Sequence, residues 1–277
     1  MAILATTFLI SCEDGQENTK QLNDEAIEAA ENEAAIEELT DEIDEITYFG
    51  SAAFFDNGRT AAGMDEQNPV FCAIRTFDEE NKTIIIDFGD GCNDWRGRHR
   101  QGKVIINYTD HLFVPGAILT ITFENFYFRG VKIDGKRIIT NISESLEDNL
   151  LFDITFEGEF TWPDETVGTR RAHWVVERIR ASNPINDEKH VNGSASGTTR
   201  NGVDYNVDIT ETIVFKRSCG PFYVFIPVQG VKVISHGDRE KIIDYGNGEC
   251  DRFVTVTTDG FSQETELRRR FQRHQTE

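Results

Sequence analysis

The chain has 277 residues, enough to bury one substantial core without outside help. Its net charge of −21 opposes long-range attraction to nucleic acid or to anionic lipid, so nucleic acid is excluded as an expected partner. The acidity is concentrated at one end, because residues 1–50 hold 14 of the 49 acidic residues and a single base, Lys20.

Residues 1–11 are apolar or small and end at Cys12. Leu9-Ile10-Ser11-Cys12 resembles the lipobox of bacterial lipoproteins, in which a small residue precedes a cysteine whose thiol carries diacylglycerol. The run is too short to span a bilayer as a helix. No Lys or Arg precedes it, as a complete signal peptide would require, so the expectation is a signal peptide over 1–11 with a truncated start. Residues 12–20 turn abruptly polar and read as a lipid-anchored tether.

An acidic amphipathic helix is expected over 21–49. From Gln21 to Ile46 there is no Gly or Pro, and Leu22, Ala26, Ala29, Ile36, Leu39, Ile43 and Ile46 recur at three- and four-residue steps. Carboxylates, Glu42 among them, fill much of the remaining surface. Like charges four residues apart weaken such a helix in isolation, so it needs a partner surface. It is either a spacer between lipid and domain or a helix packed on its own domain. Residues 50–70, with Gly58, Gly63 and several alanines, read as a linker.

Beyond the linker the period changes to two, and residues 71–277 are expected to form an antiparallel β domain. Short β-branched and aromatic runs mark strands at 83–88, 103–108, 119–124, 152–157, 174–177, 203–210 and 253–257. Asp134-Gly135, Asn192-Gly193, Asn201-Gly202 and Asp259-Gly260 favour tight hairpin turns, since both residues of such a pair tolerate positive φ. The fold expected is mainly β, an antiparallel meander or sandwich preceded by one helix. It contains two related strand–turn–strand units: Ile86-Asp87-Phe88-Gly89-Asp90-Gly91-Cys92 is echoed by Ile243-Asp244-Tyr245-Gly246-Asn247-Gly248-Glu249-Cys250.

These two segments, with Arg96 to Lys103, Gly193 to Gly197 and Arg200-Asn201-Gly202, resemble a family of surface lipoproteins from Bacteroidota, over most of the chain from Cys72 onward. The resemblance implies a β architecture and an outer-membrane location. The acidic residues after Cys12 further resemble the signal for the outer face, although Gly15 interrupts them, which leaves the periplasmic face as the alternative. The resemblance implies no activity.

No catalytic signature emerges from the residues, and no cofactor or metal is expected. Asp87-Phe88-Gly89 lacks the other elements of a kinase, and Gly193-Ser194-Ala195-Ser196-Gly197 carries alanine at the centre of its nucleophile-elbow likeness. The carboxylates of the two echoed turns offer oxygen ligands without the EF-hand spacing. The densest aromatic and cationic cluster is Trp95, Arg96, Arg98, His99 and Arg100. It would suit a phosphate, sulfate or carboxylate on a glycan. The alternative is a solvated hairpin loop.

With Cys12 committed to lipid, four cysteines remain and three pairings exist. Each echoed unit carries one cysteine and has one upstream, so a repeated unit that repeats its bond gives Cys72–Cys92 and Cys219–Cys250. The functional expectation is a non-enzymatic envelope lipoprotein, a structural or interaction module, with a glycan- or polyanion-binding protein as the alternative. Its expected partners are the membrane, through the anchor, and an envelope protein or surface glycan.

Overall fold

A computed structural model describes residues 35–47, 49–50, 70–145, 149–219, 226–251 and 253–266. The expected signal peptide, tether and Cys12, the first half of the expected helix and all but the ends of the linker lie outside the described residues.

One helix, α1, covers residues 35–47. Fourteen strands follow among the described residues. They are β1 (Ile74–Asp78), β2 (Thr83–Asp87), β3 (Cys92–Asn93), β4 (His99–Tyr108), β5 (Ile118–Phe128), β6 (Val131–Asn141) and β7 (Leu150–Thr161). The remainder are β8 (Val167–Ile179), β9 (Glu188–Thr198), β10 (Asp204–Lys216), β11 (Ile226–His236), β12 (Arg239–Asn247), β13 (Phe253–Thr258) and β14 (Phe261–Glu266). All belong to one open antiparallel sheet whose spatial order is the chain order, except that β3 and β2 both pair with β4. The meander expected from the turn chemistry is therefore present, as a single sheet.

Alternation sets the two faces. Along β7, Leu150, Phe152, Ile154 and Phe156 are buried while Asp153 and Thr155 between them are half-buried. Most buried apolar residues form one cluster that runs from Ile84, Ile86, Val104 and Ile106 through Phe126, Phe128, Ile139 and Phe156 to Val207 and Ile234, and Ile213, Tyr245 and Val254 form a smaller second one. The aromatic segment Phe123 to Phe128 serves this core, with Phe88 and Phe123 each 5.8 Å from Phe126 by ring centroids.

Two of the four expected hairpin pairs turn the chain and two do not. Asn201-Gly202 joins β9 to β10, and Asp259-Gly260 joins β13 to β14. Asp134-Gly135 instead lies inside β6, and Asn192-Gly193 inside β9. At these positions glycine answers close backbone approach. Gly135 faces Gly158 across the ladder, and a Cβ on either would come within 2.4 Å of a carbonyl oxygen on the other strand. A Cβ on Gly193 would sit 2.1 Å from the carbonyl oxygen of His173. Such glycines let a wide sheet bend sharply.

The echoed units share their turn. Asp87 Oδ1 accepts the N–H of Gly89 at 2.8 Å, and Asp244 Oδ1 accepts that of Gly246 at 2.9 Å. Both glycines, and Gly91 and Gly248 beyond them, have positive φ. Cys72 is bonded to Cys92, and Cys219 to Cys250, with sequence separations of 20 and 31.

Helix α1 belongs to the same core. Ile36, Leu39, Ile43 and Ile46 are its buried stripe, at steps of three and four, and all four join the sheet's cluster. Burying each is worth ~1.5–3 kcal/mol before the cost of ordering the chain. Between the two readings of the helix, packing on its own domain is the one its described part shows.

Candidate functional site

The helix fixes the shape of the sheet and supplies the principal charged site. Glu42 contacts Arg98 and Arg100 beside and within β4, and Glu37 contacts Lys232 on β11. In a flat sheet seven strand spacings would put β4 and β11 roughly 33 Å apart. Glu37 and Glu42 lie only ~7.5 Å apart along the helix axis. The sheet must curl so that both strands reach one helix, and α1 lies in the trough so formed.

Glu42 occupies the buried stripe, three residues after Leu39 and four before Ile46, and is only 2% exposed. Its Oε1 accepts from Arg100 Nε, and its Oε2 accepts from Arg98 Nη1 at 2.9 Å. Arg98 Nη1 also donates to Glu45 Oε2 at 2.7 Å, and Arg98 Nε to Asp94 Oδ2 at 2.7 Å. Asp94 Oδ2 lies 3.3 Å from Arg100 Nη1. The Arg100 guanidinium is 5.8 Å from the ring of Phe88 and 5.7 Å from that of Phe128. Two arginines and two carboxylates thus share a nearly dry space, with Glu45 at its rim.

The loop before β4 is built to hold this cluster. Asp94 Oδ1 accepts the backbone N–H groups of Arg96 and Arg98, both at 2.9 Å, and Gly97 N–H donates to the Asp94 carbonyl. Burial pushes the Asp94 carboxyl up, but the Arg98 N–H and the charges of Arg98 and Arg100 outweigh it and hold the group below its ordinary value. For Glu42 burial dominates and raises the carboxyl, against the opposing pull of Arg100 and Arg98. Arg98 is desolvated too, yet Glu42, Glu45 and Asp94 raise its guanidinium further above its ordinary value.

The rest of the trough repeats the theme. Arg129 in the β5–β6 turn pairs with Glu38 at 2.6 Å, and Arg137 on β6 pairs with Asp44 at 2.7 Å. Lys189 on β9 sits 4.3 Å from the ring centroid of Phe215, and burial lowers its ammonium against the pull of Asp41 and Asp44. The acidic helix is therefore matched, carboxylate by carboxylate, to cations from strands along most of the sheet.

This arrangement corrects the proposed anion-binding loop. Arg98 and Arg100 are 4% and 0% exposed and point inward to α1, so they are consumed by the chain's own carboxylates. Of the other three, Trp95 is 52% exposed with Arg96 stacked 4.8 Å from its ring centroid. Arg96 also reaches Glu45 at 3.2 Å, and His99 Nδ1 bonds Asn93 Oδ1. The five residues do not converge on one open site. Glu42 differs from the solvated carboxylates of the helix in one respect legible in sequence, its place on the Leu39–Ile46 stripe, and it is buried accordingly.

The Gly193 to Gly197 segment lies in β9 and makes no strand-to-helix turn. A shallow outer groove beside it is lined by Arg171, His173, Ser194, Ser196, Asn206 and Asp208. There Arg171 is paired with Glu157, and His173 bonds Asp153. Among the described residues no three His, Cys, Asp or Glu side chains converge as metal ligands, and no helix is long and apolar enough to cross a membrane. No family model, curated protein or solved structure matches the chain.

Proposed function

We propose that this protein is an envelope lipoprotein of the Bacteroidota surface type, anchored to the outer membrane through Cys12 and acting as a non-enzymatic interaction module. The observation that carries the reading is the use of cysteine. Four of the five are joined in two local disulfides, which suits an oxidising compartment, and the one outside them is Cys12, directly after Leu9-Ile10-Ser11. Residues 13–34 between that cysteine and α1 can span at most ~75 Å, which bounds how far the sheet stands from the bilayer.

The surface supports contact with a partner protein. All six residues of β14 are exposed, Phe261 at 83%, and among the described residues β14 has a strand on one side only. A free strand edge with an apolar side chain accepts an added strand, giving main-chain hydrogen bonds for affinity. Metabolic labelling with an alkyne fatty acid tests the anchor. Label should enter the native protein and disappear in Cys12→Ser, which should move to the soluble fraction. An unlabelled native protein with an unmodified thiol at Cys12 would overturn the reading. Crosslinked pull-down from envelopes, comparing the native chain with Phe261→Lys, tests the edge.

A further inference from the structure

We infer that the trough accepts the α1 helix of a second copy of this chain, so that the protein forms helix-exchanged dimers. This inference does not rest on the lipid anchor and can be tested with a soluble chain. Three observations carry it. First, α1 lies outside the hydrogen-bonded ladders of the sheet, which run from β1 to β14 among the described residues. Second, its fit to the trough is specific, because Ile36, Leu39, Ile43 and Ile46 enter the core while Glu37, Glu38, Glu42, Asp44 and Glu45 each meet a cation of the sheet. The surface that fits this trough is thus encoded in every copy of the chain. Third, residues 51–69 separate the helix from Val70, and a stretch of that length reaches up to ~60 Å, ample for a neighbouring molecule.

The contacts are the same whether the helix comes from its own chain or another, so exchange costs little beyond the difference in effective concentration. For a tether of about twenty residues the effective concentration is on the order of millimolar. The exchanged form therefore gains as the local concentration of copies approaches that value, as happens for molecules confined to a surface. Leaving the trough would bare Arg98 and Arg100, so exchange belongs to folding, before the cluster closes.

The test uses the full chain carrying Cys12→Ser, prepared in light and nitrogen-15 forms. Equal amounts are unfolded together with disulfides intact, refolded at ~0.01 to ~1 mM to bracket that effective concentration, and treated with a carbodiimide. This reagent joins the Glu37 carboxylate to the Lys232 amine as an amide, with loss of water. Mixed light–heavy crosslinked peptides should appear and rise with protein concentration, approaching one half of the total when every helix is exchanged. Their absence at the highest concentration would overturn the inference.

Charge reversal provides an independent arm. Glu42→Arg in one chain, and Arg98→Glu with Arg100→Glu in another, should each spoil the chain's own pairing. Expressed together and differently tagged, the two should co-purify as a one-to-one dimer, since each helix then suits the other's trough. Failure to co-purify, while a single chain with all three substitutions folds as a monomer, would show that the trough takes its helix only from within. If that triple variant does not fold, the isotope experiment on the chain with residues 42, 98 and 100 unchanged decides.

Discussion

Glu42→Gln tests the central feature of the fold, a helix carboxylate buried against two arginines of the sheet. The substitution keeps size and one acceptor oxygen but removes the charge that faces Arg100, whose side chain is 0% exposed, and Arg98, whose side chain is 5% exposed. Breaking a buried pair by removing one partner costs about 3–5 kcal/mol, because the desolvated partner is left uncompensated. Asp94 and Glu45 remain beside the arginines and place the expected loss near the low end, about 3 kcal/mol. Glu45→Gln is the control. Its side chain is 20% exposed and shares its cations, so the expected loss is below ~1 kcal/mol. In urea unfolding followed by circular dichroism, a slope of ~3 kcal/mol per molar for a chain of this size turns the first loss into a midpoint shift of about 1 M. Equal shifts for the two variants would refute the view that Glu42 neutralises a buried cluster.

The remaining predictions concern the same cluster, the bends and the bonds. Glu42→Met combined with Arg100→Met should be less destabilising than either single change, since apolar side chains replace a desolvated pair; additive losses in a double-mutant cycle would count against this. Asp94 titrates below its ordinary value of 3.8, so its contribution is complete at neutral pH and is lost as pH falls through its lowered folded-state value. The stability gap between the native chain and Asp94→Asn should therefore be constant from pH 7 to about 5 and shrink below about 4; a gap that closes near pH 6 would contradict the assignment. Gly193→Ala places a Cβ 2.1 Å from a carbonyl oxygen at φ +133° and should cost at least ~2 kcal/mol, whereas Gly89→Asn at the open turn should cost under ~1. Removing the Cys72–Cys92 bond should cost about 3 kcal/mol, read as a lower urea midpoint for the paired serine variant.

Much of the architecture is written in local pattern. The two-residue alternation from Thr83 onward is enough to call for strands, and the shared Asp-x-Gly turns at Asp87 and Asp244 are enough to pair the four cysteines correctly. Both depend on neighbours within a few residues, and such interactions leave their mark on the sequence itself. Strands β6 and β9 were hidden because Asp134-Gly135 and Asn192-Gly193 carry turn chemistry, while the glycines are required by a carbonyl approaching from the adjacent strand. That cause lies twenty or more residues away along the chain.

The charged site divides in the same way. Composition alone distinguishes an acidic helix from the basic segment at Arg96 to Arg100, and each could be expected to meet water or a ligand. Only the curl of the sheet brings them together, burying Glu42 against Arg98 and Arg100 across separations of 56 and 58 residues. Helix periodicity says which side chains share a stripe but not what covers it, and a cation in a strand gives no sign of which face will be desolvated. Those are properties of how strands β4 to β11 wrap round one helix, and they are decided by tertiary packing.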